Sequence, residues 1–372
     1  MLNNDNLGNY IELVDERNTS NVTSDLLGIN IDKYFMPSVA NVIGTDLSKY
    51  KLLKKGYFAC NPMHVGRDDK LPVALYRNDK PAIVSPAYFM FKIKNNKVLD
   101  DEYLMLQFKK KDFDRECTFM TDGSVRGGLL WEDLCRIKIS IPSIEDQKQI
   151  VSSYKTVEKR IEVLKRINDN LNKIIQVIFR QCLSEDKEKI MFNEFAIFQE
   201  GPGIRNWQFQ NIGIPFLNIR CLVNNDINVA LANKISFQDA ELKYKHFMLE
   251  IDDMVLSTSG TLGKFAVIRN RHLPLCLNTS IIRFKPKNCK EDYSTLYCIL
   301  KSSLFIDKLY ELATGSAQVN LGPTQLNKIS VNVPKKENRD KLHKKVFPLI
   351  NKIEDNLDEI YHLNKFNLLN YC

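Results

Sequence analysis

The sequence contains no run of eighteen apolar residues, and its start, "MLNNDNLGNY", has neither a basic opening nor an apolar centre. No membrane span and no secretory signal are therefore expected, and the chain reads as cytoplasmic. It also lacks any C-x-x-C pair. Its nine cysteines, an odd and scattered set, suggest neither a disulfide framework nor a thiolate zinc site, and are expected to be packing residues. The histidines at 64, 246, 272, 343 and 362 show no metal-ligand spacing.

Chemistry-bearing loops are missing as well. "GTLGK" at 260–264 has too few residues between its glycines, and no Ser or Thr after Lys264, to be a Walker A loop. "NPMH" at 61–64 departs from the Asn-Pro-Pro-aromatic signature of amino-methyltransferases at Met63 and His64. No Gly-rich dinucleotide fingerprint follows a strand, and the acid pairs in "RDDK" and "IDDM" read as turn or strand-entry residues. With no catalytic constellation, no catalytic residue, metal or cofactor is expected in this chain.

What is present is a chain of 372 residues with 44% hydrophobic content, enough for two domains and something more. Lys and Arg outnumber Asp and Glu by 53 to 45, a net charge of +8 that permits nucleic-acid binding without requiring it.

The main signal is a repeat. Residues 121–150 align without a gap on 313–342 at an offset of 192, pairing Gly123 with Gly315, Ile137 with Ile329, Pro142 with Pro334 and Ile150 with Leu342. Upstream, "KKGYFACN", "LPVALYRN" and "SPAYFMFKI" correspond more loosely to "IDDMVLSTSGTLGKFAVIRN" and "LNTSIIRFKP". Each half thus predicts a mixed α/β domain with short strands, followed by one helix over "DDEYLMLQFKKKDF" or "YSTLYCILKSSLFIDKLYEL".

Each copy ends in a strand stopped by a proline, with a long helix beyond it. In the first, "IPSIEDQKQI", Ser143 and Asp146 form a capping-box pattern. Ile150, Val157, Leu164, Leu171 and Ile178 then alternate with Tyr154, Ile161, Asn168, Ile175 and Cys182 as a heptad seam, about 50 Å long from 150 to 182. The second helix runs from about Asn338, with Lys335 in place of the capping serine. Pro348 is expected to kink or delay it, and Asn356 stands where the first copy has Leu164. Antiparallel pairing of Asn168 with Asn356 makes facing residue numbers sum to 524, which also sets Leu164 against Ile360.

The loops of the two halves place hydrogen-bonding side chains beside positive charge, a pattern suited to base edges and phosphates. The candidates are Asn61, His64, Arg67, Ser124 and Arg126 in the first half. In the second they are Arg205, Asn206, Trp207, Arg220, Ser259, Thr261, Lys264, Gln318 and Asn320.

With these features, nearly the whole chain resembles the specificity subunits of type I restriction-modification systems. The resemblance rests on the "IPSIEDQKQI" junction, the weaker "VPKKENRDKL" junction, "NPMHVGR...SPAYFMF", and "GPGIRNW...PFLNIR...STSGTLGK...LNTSIIRF...TGSAQVNLGP". It implies two target-recognition domains, 1–142 and 186–334, separated by antiparallel spacer helices, 143–185 and 335–372, with an internal pseudo-two-fold repeat. It further implies that each domain reads half of an asymmetric bipartite DNA target, the helices acting as a ruler. Two methyltransferase subunits would bring S-adenosylmethionine, and restriction subunits ATP and Mg. Glu145, Asp146 and Gln147 would be the partner-binding junction, altered on the second side where "KKENRD" replaces the Glu-Gln pair. Two other classes compete: the recognition part of a fused methyltransferase or nuclease, and a coiled-coil adaptor with no DNA role.

Overall fold

The computed structural model describes residues 4–40, 44–121, 128–313 and 321–370. It is a mixed α/β chain in two compact units, one running to Glu162 and including the chain from Tyr361 onward, the other spanning Val163–Ile360.

Each unit is built on a four-stranded antiparallel sheet of the same order. In the first, Ile11–Leu13 pairs with Phe89–Ile93, which pairs with Phe58–Cys60, which pairs with Val73–Leu75. In the second the order is Ala196–Glu200, Ile281–Pro286, Met254–Ser257 and Phe265–Val267. The offset of 192 holds for more elements than sequence similarity reaches. Strands starting at Val73 and Phe89 recur at Phe265 and Ile281, helices starting at Lys111 and Trp131 recur at Ser303 and Pro323, and the strand at Lys138 recurs at Ser330. Alternation works as expected at the last strand, where Ile137 and Ile139 are buried and Lys138 is exposed.

The helix predicted after the sheet is two helices in each unit. Asp101–Phe108 is followed by Lys111–Met120, and Asp292–Leu300 by Ser303–Ala313. Each first helix is buried nearly all round, whereas the next has one side exposed, polar in Lys111–Met120 except for Phe119 and mixed in Ser303–Ala313, where Leu304, Tyr310 and Leu312 are exposed. Asp100 caps the first by accepting from the N–H groups of Glu102 and Tyr103. Ser302 marks the break in the second copy, its Oγ accepting from the Phe305 N–H at 3.2 Å.

The central helix spans Ile144–Glu185 and the C-terminal helix Lys336–Asn370. Ser143 Oγ accepts from the Asp146 N–H at 3.2 Å and donates to the Asp146 carboxylate at 2.8 Å, so the carboxylate holds the capping hydroxyl instead of reaching back to the backbone. Pro348 does not delay the second helix. It sits inside it, on the exposed side, where the carbonyl four residues back that loses its donor can turn to water.

Within the second unit the two helices pack antiparallel. Asn356 Nδ2 donates to Asn168 Oδ1 at 2.7 Å, while further along Cys182 lies 3.8 Å from the carbonyl of Asn338. Leu164 and Ile360 are both buried, as the sum of 524 requires of facing residues. The amide pair is not reciprocal: Asn168 Nδ2 donates to the Ile353 carbonyl at 3.3 Å, and Asn356 Oδ1 has no partner among the described residues.

The helices also carry the sheet domains. Asn172 accepts from the Tyr297 hydroxyl at 3.1 Å and Gln176 donates to the Cys298 carbonyl at 3.1 Å, extending the polar row begun at Asn168 by one helical turn at a time. Arg271 bridges Asp226, at 2.8 Å, and Asp358, at 2.6 Å, while Arg269 reaches Asp358 at 3.2 Å. No helix among the described residues is long and apolar enough to cross a membrane.

Candidate nucleic-acid interface

In the second unit the strands Met254–Ser257 and Phe265–Val267 are joined by a loop that Ser257 ties shut. Its Oγ accepts from the Lys264 N–H at 2.9 Å and donates to the Thr261 carbonyl at 2.6 Å. Gly260 and Gly263 turn the chain at φ of +63° and +81°, a region side chains disfavour. Thr258 then joins three segments: its N–H donates to the Ser280 carbonyl at 3.0 Å and its carbonyl accepts from the Leu321 N–H at 2.9 Å.

A fourth segment lies alongside. A Cβ on Gly201 would fall 2.5 Å from the Leu277 carbonyl group, so only glycine allows this approach, and the Gly203 position lies 3.6 Å from the Thr279 side chain. Ile219, next to Arg220, lies 3.7 Å from the Gly260 position. Arg205, Asn206, Trp207, Arg220, Ser259, Thr261 and Lys264 thus stand on segments rooted at one end of this domain. Arg220 has an internal role too, donating to the Leu231 carbonyl at 2.8 Å and to the Asn233 side chain.

The segments that carry these loops are poor in acid. Residues 201–225, 254–290 and 312–336 contain no Asp or Glu, and they bring Arg205, Arg220 and Lys264 to the loops. Such segments attract a polyanion, although Glu200 lies at their root, its carboxylate 3.4 Å from the Gly322 position.

The first unit repeats the arrangement with a longer loop. Residues 61–72 join Phe58–Cys60 to Val73–Leu75, and Asn61 starts the loop by accepting from the Met63 N–H at 3.1 Å. The Leu129 N–H donates to the Pro62 carbonyl at 3.1 Å. Leu129 and Leu321, 192 residues apart, make the same kind of bond to the same loop in their own domains. At the far end of the loop the Leu71 N–H donates to Asp114 Oδ1 at 3.0 Å, and the same oxygen accepts from Lys33 Nζ at 2.7 Å. Burial presses the Lys33 ammonium below its usual pKa, and Asp114 works against that shift. Ser124, Arg126, Gln318 and Asn320 lie outside the described residues, as do the side chains of His64 and Arg67.

The junction departs from expectation at Gln147. Glu145 and Asp146 are exposed, but Gln147 is fully buried. Its Oε1 accepts from the Asp100 N–H, and its Nε2 donates to the carbonyls of Val98 and Pro142, all at 2.9 Å. Its hydrogen-bonding capacity is spent inside its own domain, and it cannot be a partner contact. In the second copy the equivalent position is Arg339, which donates to Asp292 at 2.9 Å and lies over the Phe195 ring. The lost Gln has therefore been replaced by an ion pair at the same joint.

No group of three or more His, Cys, Asp or Glu that could hold a metal exists among the described residues. Two buried groups of opposite charge, Glu354 and Lys301, are also perturbed. Burial pushes the Glu354 carboxyl up to about 8 and the Lys301 ammonium down to about 8. Lys301 packs over the rings of Phe265 and Tyr297, and both groups sit where the C-terminal helix meets its domain. That position suits support of the fold, with Lys301 packed beneath the strand that begins at Phe265.

Comparison with known proteins agrees with this architecture. The type I restriction modification DNA specificity domain matches residues 73–173 and 186–361. The specificity subunit of the type I restriction enzyme MjaVIII of Methanocaldococcus jannaschii is 25% identical over 288 residues, which cover 70% of this chain and 66% of that protein. The MjaIX specificity subunit of the same organism is 22% identical over 291 residues, 71% of this chain and 66% of its own length. The matched region thus spans about two thirds of these relatives. The crystal structure of a type I restriction-modification S subunit from M. genitalium shares the fold, with a TM-score of 0.54 at 17% identity, covering 98% of this chain and 94% of that one. The chain belongs to the type I restriction-modification DNA specificity family.

Proposed function

We propose that this protein is the DNA-reading subunit of a type I restriction-modification complex, each sheet domain recognising one half of an asymmetric bipartite target. The observation that carries the reading is the duplication itself. The same four-stranded sheet occurs twice, and each copy gathers a strand-joining loop and a post-glycine segment at one end. Two half-readers with different loop sequences call for two different half-sites.

The paired helices supply the ruler. At 1.5 Å per residue the helix from 150 to 182 is about 50 Å long, the length of about 15 base pairs at 3.4 Å each, which suits separated half-sites. Exposed Glu145 and Asp146 remain candidates for the contact with methyltransferase subunits, whereas Gln147 does not. The partners expected are two methyltransferase subunits carrying S-adenosylmethionine and restriction subunits using ATP and Mg, all in the cytoplasm. The chain itself performs no chemistry in this reading. The test is methyl transfer to DNA by the purified chain with and without its methyltransferase partner: sequence-selective transfer only in the complex supports the reading. Transfer by the chain alone makes it a fused enzyme, and DNA binding without salt dependence or sequence preference in the complex makes it an adaptor.

A further inference from the structure

Trp207 is the most exposed aromatic among the described residues of the second domain, with 78% of its surface exposed, ahead of Phe237 and Tyr310. The other tryptophan, Trp131, is half-buried against Phe89 and Phe91. An indole left in water forfeits a large burial gain, so an exposed one held rigidly invites a ligand.

The turn that carries it is closed by two hydrogen bonds. Gln208 closes it by accepting from the Arg205 N–H at 3.0 Å, and the Gln208 N–H returns to the Arg205 carbonyl at 2.9 Å. On either side, the partly buried Ile204 and Phe209 pack against the cluster of Ile214, Phe216, Ile235, Ala240 and Cys276. With Ile204 and Phe209 turned to the cluster, the turn between them carries Trp207 on its exposed side. The root of the same segment is the close approach of Gly201 to Leu277, so the indole stands on the segment that carries Arg205, and residues 201–225 of that segment hold no Asp or Glu.

We propose that Trp207 is an apolar wedge that packs its ring against the bases of bound duplex DNA, beside phosphates neutralised by Arg205. This rests on the DNA-recognition reading above and assigns the two side chains different physical roles. A ring on a base buries apolar surface and releases no counterions, whereas an arginine on a phosphate releases about one. Salt dependence therefore separates them.

The experiment uses the full chain in complex with its methyltransferase partner, titrated onto a labelled duplex carrying the sequence that this complex methylates, across a range of salt concentrations. Trp207→Ala is expected to weaken binding between about 5-fold and 100-fold at every salt concentration, with the slope of log Kd against log salt unchanged. Trp207→Phe is expected to keep most of the affinity. Arg205→Ala is expected to lower the slope by about 1. Wild-type affinity for Trp207→Ala, or a slope change like that of Arg205→Ala, overturns the wedge while leaving DNA recognition standing. A wild-type complex without sequence-selective binding overturns both.

Discussion

Arg339 occupies in the second domain the place that Gln147 occupies in the first, and each fastens a long helix to the first residues of the helix that follows the sheet. Gln147 takes the Asp100 N–H, and Arg339 takes the carboxylate of Asp292, 192 residues after Asp100. One joint is neutral and the other ionic. Gln147→Ala strands the carbonyls of Val98 and Pro142 and is expected to cost about 2 to 3 kcal/mol. Arg339→Gln leaves a buried carboxylate without its cation and is expected to cost about 3 to 5 kcal/mol. Urea unfolding of the two variants checks both the losses and their order.

The buried amides make a second prediction. Asn168→Ala and Asn356→Ala each remove one end of the 2.7 Å bond between the helices and leave the other buried, at an expected cost of about 1 to 3 kcal/mol. Because the pair shares one interaction, the double variant should lose less than the sum of the singles. A double-mutant cycle of thermal melts measures the coupling, and additive losses would deny the pair its role.

Much of this design is legible in residue order, for identifiable reasons. The pairing of Asn168 with Asn356 follows from arithmetic on two polar residues in apolar seams, since antiparallel helices leave few registers open. The duplication shows between 121 and 150, where strand, proline and cap must recur to build the same joint. It is lost between 73 and 120 because each domain fills its own core with different side chains while keeping the backbone register. Gln147 is illegible for another reason: its partners at Val98 and Asp100 lie nearly fifty residues away, and beside Glu145 and Asp146 it looks like helix surface. Lys109 and Lys110 also hide the helix break, which no proline or glycine marks.

Lys33 and Asp114 predict a link between stability and loop order in the first domain. Asp114→Ala leaves the buried Lys33 ammonium unpaired and frees the Leu71 N–H at the end of the candidate loop. The expected loss is about 3 to 5 kcal/mol. Lys33→Met with Asp114→Leu should recover much of it. Hydrogen exchange at Leu71 should stay fast in that double variant, because its acceptor is gone.

Glu354 and Lys301 predict how the second domain responds to pH. The folded pKa of Glu354 is raised, so the native state holds a proton that the unfolded chain has released. Its contribution is complete below about 4.5, the ordinary glutamate value, and is lost as pH rises to about 8. Lys301 is depressed, so its penalty is present below about 8 and fades as pH rises toward the ordinary lysine value. Stability should therefore fall between pH 5 and 8, with a slope of at most about 1.4 kcal/mol per pH unit from one group. Glu354→Gln should flatten that limb in urea midpoints measured across the range, and an unaltered slope would remove Glu354 as its source.

The central claim is that the two domains read two different half-sites at a distance the helices hold constant. The most direct measurement is a genome-wide map of methylated adenines in cells co-expressing this chain with its methyltransferase partner. The account predicts two blocks of specified bases, unlike each other and separated by an unspecified gap of one length. A single contiguous site, or a palindrome, would contradict it.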